Sequence, residues 1–288
     1  MRARLSALLL VLAVAPLACV TLAPAFASPS VLVIDAASGR TLRAEDADES
    51  RYPASLTKMM TLYLLFEAID AGRVSYTTRL RVSRHAAGQA PSRLGLRPGQ
   101  TLLVRDAIFA LATKSANDAA VVVAEGLAGS EPAFARRMTA KARALGMRRT
   151  TFYNASGLPD GRQRTTARDM ATLGRALVRD HPRSYRVFAT RSFRWGKAHN
   201  PNHNRLLGVY RGMDGIKTGY TDAAGFNLVA SAVRDGRRLI AVVMKAPTSA
   251  RRNALMVRLL DQGFADAARA PVAVARSDKR GGRAVATR

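Results

Sequence analysis

The sequence predicts an α+β domain, and three observations carry that reading. Short apolar, β-branched runs stand towards both ends of the chain, at Ser30 to Ile34, Val229 to Val233 and Leu239 to Met244. Between them the apolar residues recur with helical periods. Strands so far apart in sequence bury their faces by sharing one sheet, with helices packed on it and a helical insertion in the middle. The chain's 288 residues, 48% of them hydrophobic, are enough to bury such a core.

Taken in order, Arg2 and Arg4 precede an almost wholly apolar stretch from Leu5 to Leu22, and Ala25-Phe26-Ala27 has the small-x-small form of a cleavage site. Residues 1–27 are therefore expected to be a secretory signal peptide. Pro16 and Pro24 argue against an uncut anchor, and Pro16, three before Cys19, argues against a lipoprotein site. Ser30 to Ile34 and Arg40 to Arg43 flank the turn Ala37-Ser38-Gly39 as a hairpin. A helix buried on most sides is expected from Ser55 to Ala71, closed by Gly72. Residues 82–100 read as irregular. Helices are expected over Val104 to Thr113, Asp118 to Leu127, and Glu131 to Leu145, the last capped by Ser130 and stopped at Gly146. Phe152 to Gly161 is a loop, and a helix from Thr166 to Asp180 ends before Pro182. Asp235-Gly236 joins the last two strands as a hairpin. A final amphipathic helix is expected from about Ser249 to Gln262, stopping at Gly263. The chain thus divides into a signal segment (1–27), one domain (28–268) and a basic tail (269–288) that lacks an apolar period and is expected to be disordered.

The formal net charge of +26 falls to +24 when cleavage after Ala27 removes two arginines. Such a charge favours acidic partners, which for an exported protein are carboxylate-rich wall polymer or anionic lipid rather than nucleic acid; arginines merely solvated on helix faces would give the same balance. The tail carries Arg276, Lys279, Arg280, Arg283 and Arg288 against Asp278, so any hold on the envelope is expected to be peripheral, electrostatic and released by moderate salt. The single cysteine, Cys19, leaves with the signal segment, which excludes disulfides and thiolate chemistry. Of the histidines, His199 and His203 are four apart, but Pro201 between them breaks any helix that could pair them on a metal. No metal or cofactor is expected.

Three short motifs carry the chemistry. Ser55-Leu56-Thr57-Lys58 sets a hydroxyl and an amine three apart, on one face of a helix start. Serine is a poor nucleophile at its own pKa, and a neutral amine beside it can take its proton. Burial and a second cation, for which Lys217 is the natural candidate, would keep Lys58 neutral. Ser115-Ala116-Asn117 places two polar side chains at a spacing that points both the same way in an extended or turning segment, although each could also be a helix cap or turn residue. In Lys217-Thr218-Gly219, read as a strand, Lys217 and Gly219 share a side, Gly219 leaves room for a ligand, and a peptide could add antiparallel along the edge.

Each motif alone is weak; the three in this order, with Ala155-Ser156-Gly157-Leu158-Pro159 and Asp214-Gly215-Ile216 before Lys217, make a chain that resembles the serine-type D-alanyl-D-alanine carboxypeptidases, low-molecular-mass penicillin-binding proteins, over about residues 29 to 268. The resemblance implies the serine penicillin-binding/β-lactamase-like fold, a mainly antiparallel sheet flanked by helices with an all-helical lobe. It implies removal of the terminal D-alanine from peptidoglycan stem peptides through an acyl-enzyme on Ser55, with β-lactam antibiotics as covalent inhibitors. By the same resemblance Lys58 is the base, Ser115 passes a proton to the leaving amine, Asn117 orients Lys58 and the substrate, Lys217 and Thr218 hold the terminal carboxylate, and the amides of Ser55 and Tyr220 receive the oxyanion. A D,D-endopeptidase using the same chemistry is the nearest alternative, and a basic wall-binding module without activity a remoter one. A β-lactamase is less favoured, because the only glutamates between Asn117 and Lys217 are Glu125 and Glu131, outside the loop where a deacylating group is expected. Two positions depart from the pattern: His203 and Pro247 stand where relatives carry arginine, which leaves open the cation that assists Lys217.

Overall fold

The computed structural model describes residues 28–269. The expected signal segment lies outside them, as does the expected tail apart from Arg269. The hairpin of β1 (Ser30–Asp35) and β2 (Thr41–Glu45) leads to a tight helical turn, Ala54–Thr57, and α1 (Lys58–Asp70). A small ribbon of β3 (Arg79–Arg81) and β4 (Thr101–Leu103) encloses α2 (Arg84–Ala87), a short helix inside the stretch read as irregular. α3 (Val104–Phe109) loosens into a wide helical turn, Ala110–Lys114, before α4 (Asn117–Ala128), α5 (Glu131–Ala144), α6 (Ala167–Asp180) and α7 (Pro182–Tyr185). A second ribbon, β5 (Ser192–Trp195) with β6 (Ala198–Pro201), precedes β7 (Met213–Thr221), β8 (Gly225–Arg234), β9 (Arg237–Ala246) and α8 (Ser249–Arg269).

The main sheet is antiparallel in the order β2-β1-β9-β8-β7, so the two chain ends meet at its centre and β7 forms one edge. Side chains alternate across a strand, and the sequence fills both faces. Val31, Val33, Leu228, Ala230, Leu239, Ala241 and Val243 pack with Met256, Leu259 and Leu260 of α8. Leu32, Ile34, Val229, Ile240, Val242 and Met244 belong to the other core, shared with α6 and the helical lobe. Burial on both sides explains why these strands read as continuous apolar runs rather than alternating ones. In the lobe, Ala119 to Ala124 of α4 are all fully buried, a run of small and β-branched residues that lets α1 and α5 pack closely.

Two boundaries differ from expectation. The helix read from Ser55 begins as the tight turn, and the α-helix proper starts at Lys58. Gly263 does not stop the last helix, which runs on to Arg269. A Cβ at Gly263 would come within 3.0 Å of Leu239 Cδ1 and 3.1 Å of Val33 Cγ1, so the glycine serves the close approach of helix to sheet. Among the described residues no helix is long and apolar enough to cross a membrane.

Candidate active site

Ser55 sits on the tight turn between the sheet edge and the helical lobe, and contacts from both sides hold that turn. Asn227 of β8, fully buried, donates to the carbonyls of Tyr52 (3.0 Å) and Pro53 (3.2 Å) and accepts from the Lys245 amide (2.9 Å). Gly219 of β7 lies against the turn so closely that a Cβ would stand 2.9 Å from the Pro53 carbonyl and 3.1 Å from the Ser55 amide. Gly219 also lines the cleft, so the missing side chain admits the nucleophile's own backbone besides leaving that wall open. From the other side, Gly157 adopts φ +86°, and a Cβ there would overlap the Ala54 carbonyl at 1.8 Å.

Lys58 opens α1 and is fully buried. Its Nζ donates to Asn117 Oδ1 at 2.7 Å and the Ser156 carbonyl at 2.5 Å, and lies 3.2 Å from Ser55 Oγ. A neutral amine has two N–H groups and one lone pair, so the two shorter contacts take the hydrogens and the lone pair is left facing the serine hydroxyl. Burial, then the Lys217 charge, pushes the Lys58 pKa well below its ordinary value, against an opposing pull from Asp118 and Glu131. The Asp118 carboxylate is occupied by the amides of Leu94, Gly95 and Leu96, which fix the loop over the site.

Ser115 ends the wide turn in the left-handed region at φ 60°. Its hydroxyl is buried and has no hydrogen-bond partner among the described residues, yet the residue lines the cleft. Asn117 begins α4, with its amide NH₂ donating to the Ala90 carbonyl (2.9 Å), which leaves Oδ1 turned to Lys58. Lys217 is buried on β7, its Nζ donating to the Thr218 carbonyl at 3.1 Å; burial, then the nearby Arg252, brings its pKa down to about 7. Thr218, Gly219, Tyr220 and Thr221 form one wall of a cleft of about 490 Å³, with Ser55, Ser115 and Asn117 also lining it. All eight residues predicted from the sequence therefore gather at this cleft or directly behind it.

The sequence reading missed Arg252. This residue lines the cleft from the first turns of α8, is only 4% exposed, and forms no ion pair with an acid among the described residues. Its Nε and Nη2 lie 3.1 and 2.8 Å from Asn253 Oδ1, and burial brings its pKa down to about 10. It places a cation at the cleft, whereas Pro247 is exposed and lines a separate groove. A signal existed: Arg252 precedes Met256, Leu259 and Leu260 at helical spacing, a charge on the buried face of an amphipathic helix. His203 also lines the cleft. Burial and the charges of Lys217, Lys114, Arg205 and Lys58 bring its pKa down to about 4, so it is neutral at pH 7 and does not replace an arginine's charge.

The two glutamates in question are engaged elsewhere. Glu131 accepts from the Ala155 amide (2.9 Å) and pairs with His85 Nε2 (2.7 Å), Glu125 accepts from the Ser83 hydroxyl (2.9 Å), and neither lines the cleft. Among the described residues no group of three His, Cys, Asp or Glu is placed to hold a metal ion.

The family model described as D-alanyl-D-alanine carboxypeptidase matches residues 18–248. The D-alanyl-D-alanine carboxypeptidase DacC of Escherichia coli is 39% identical over 249 residues, 84% of this chain and 62% of the relative. The chain spans about three fifths of the length of such curated relatives. Among solved structures, the D-alanyl-D-alanine carboxypeptidase DacD of Francisella tularensis superposes with a TM-score of 0.80 at 32% identity, covering 82% of this chain and 70% of that one. Penicillin-binding protein D2 of Listeria monocytogenes, in its ampicillin-bound form, gives 0.72 at 34% identity, covering 82% and 96%. With its α+β penicillin-binding fold and this family match over most of its length, the chain belongs to the D-alanyl-D-alanine carboxypeptidase family.

Proposed function

We propose that this protein is a serine D,D-carboxypeptidase that removes the terminal D-alanine from peptidoglycan stem peptides. The observation that carries the proposal is the Lys58 amine, buried, held by Asn117 and the Ser156 carbonyl, and facing the Ser55 hydroxyl. Ser55 Oγ attacks the penultimate carbonyl as its proton passes to Lys58, and the amides of Ser55 and Tyr220 receive the oxyanion. Ser115, with no competing hydrogen bond of its own among the described residues, carries a proton to the departing amine. D-Alanine leaves, and water, deprotonated in turn by Lys58, hydrolyses the ester and regenerates the serine.

Recognition follows from charge. The terminal carboxylate is held by Arg252, Lys217 and the Thr218 hydroxyl, and the rest of the peptide pairs with the exposed edge of β7. Because the leaving D-alanine carries this carboxylate, its position fixes the direction of the substrate: the C-terminus lies toward Lys217 and Thr218, and upstream residues run toward Thr221. Inhibition by β-lactams belongs to the same proposal, since a related penicillin-binding protein has been solved with ampicillin bound. So does export, with residues 1–27 as signal peptide and the cell envelope as the site of action.

Covalent labelling tests it. A fluorescent penicillin should label the protein, peptide mapping should find the adduct on Ser55, and Ser55→Ala should abolish labelling while leaving the circular dichroism spectrum unchanged. An adduct on another serine, or an unlabelled wild type, would overturn the assignment.

A further inference from the structure

Upstream residues of a substrate bound in the direction proposed above leave the cleft beside Thr221, at the turn between β7 and β8, where two openings meet. One, of about 180 Å³, is lined by Pro53, Leu158, Pro159, Asp160 and Thr221 and has an acid but no cation in its lining. The other is a groove of about 760 Å³ that shares Tyr220 and Phe226 with the catalytic cleft and runs between the end of β9 and the first turns of α8. Three cations, Lys245, Arg251 and Arg258, line this groove, and none of them is ion-paired among the described residues. Its acid, Asp222, already accepts a hydrogen bond from the Tyr220 hydroxyl at 2.7 Å.

The groove is built rather than incidental surface. Lys245 stands in the left-handed region at φ 61°, in an irregularity where the β8–β9 register shifts between Phe226 and Leu228. A strand bulge of this kind re-aims a side chain, and a non-glycine residue with positive φ is uncommon. The irregularity is pinned by Asn227, whose side chain accepts the Lys245 amide and also holds the carbonyls before Ser55. Between groove and cleft stands an aromatic partition, the half-exposed Tyr220 ring stacked on Phe226 with centroids 4.2 Å apart. Cleavage after Ala27, as proposed above, would add the new amino terminus at Ser28, which also lines the groove.

We propose that this groove is a second subsite of the enzyme, taking a carboxylate carried by the substrate two or three residues upstream of the D-alanyl-D-alanine end. The inference rests on the substrate direction adopted for the catalytic cleft. An extended peptide advances about 3.3 Å per residue, so two or three residues are enough to pass Thr221 and reach the groove. Charge selects this opening over the smaller one, whose lining holds no cation and whose one acid, Asp160, is already paired with Arg162.

The test uses two synthetic peptides ending in D-Ala-D-Ala that differ in one residue, a glutamate or a glutamine two positions upstream of that end. Binding to the full chain carrying Ser55→Ala is measured by calorimetry at low salt, so the readout does not depend on turnover. The glutamate peptide should bind roughly tenfold more tightly, about the scale expected when one carboxylate meets three exposed cations at once. That advantage should vanish in a Lys245→Gln, Arg251→Gln, Arg258→Gln variant and shrink as salt is raised, while the glutamine peptide binds both forms equally. Equal affinity of the two peptides for the parent, or an advantage that persists in the triple variant, would overturn the subsite. Acylation of the otherwise wild-type triple variant by penicillin at an unchanged rate shows that its catalytic cleft is intact and separates a failed groove from a failed reading of Ser55.

Discussion

Lys58 and Lys217 are both buried beside the cleft, and the reaction proposed above needs them in opposite protonation states, which should appear in the pH dependence. In the proposed reaction acylation needs Lys58 without its proton, so kcat/KM should rise with pH through an acid limb that burial and the Lys217 charge displace well below the ordinary lysine range. Carboxylate binding needs Lys217 with its proton, and in the free enzyme this group loses its charge as pH passes about 7. The profile of kcat/KM, which reports the free enzyme, should therefore bend down from about pH 7. Once a carboxylate lies beside Lys217, the charged form is favoured, so the alkaline limb of kcat should lie at higher pH than that of kcat/KM. Coincident alkaline limbs in the two profiles would show that Lys217 does not face the substrate's charge. At this scale the sequence was informative about Ser55, Lys58, Ser115, Asn117 and Lys217, because each stands in a short motif. It was silent on the Ser156 carbonyl, which has no side-chain signature, and on Asn227, whose partners are about 175 residues away in the chain.

At the scale of elements, the site depends on how closely β7 approaches the turn that carries Ser55. Gly219 makes that approach possible, since any Cβ there would meet backbone atoms of Pro53, Ser55 and Leu56 at 2.9 to 3.1 Å. Gly219→Ala should push strand and turn apart. Displacements of this order cost about a hundredfold when they disturb reacting groups, so the penicillin acylation rate should fall by about that factor. Overpacking should cost roughly 1–3 kcal/mol of stability. A stopped-flow acylation rate within twofold of wild type would leave Gly219 only the role of clearing space for ligand. Gly263 in the last helix teaches the same lesson about reading glycine. In sequence it looked like a helix stop, yet the helix continues through it because the residue faces Leu239 and Val33 across a narrow gap. A glycine that permits close packing and one that ends a helix are indistinguishable until the opposing surface is known.

Across the whole molecule, the sheet brings the first and last strands of the domain together, and the helical lobe inserted between them supplies Lys58, Ser115 and Asn117 to meet Lys217 and Arg252 on the sheet side. The α+β class was legible because the apolar runs at Ser30 to Ile34 and Leu239 to Met244 are too far apart to pair locally and too apolar to stand exposed. Strand order was not legible, since nothing in a single run states which neighbour it pairs with; β1 lies between β2 and β9. The same limit hid Arg252, which reaches the cleft only once α8 packs back on β8 and β9. These parts, assembled from both halves of the chain, are proposed to release D-alanine through Ser55. The most direct measurement is the amount of free D-alanine produced from an uncross-linked stem peptide ending in D-Ala-D-Ala, by the wild-type chain and by Ser55→Ala. One equivalent of D-alanine per stem is expected from the wild type and none above background from the variant; no release by the wild type, or undiminished release by the variant, would rule out Ser55 as the nucleophile of a D,D-carboxypeptidase.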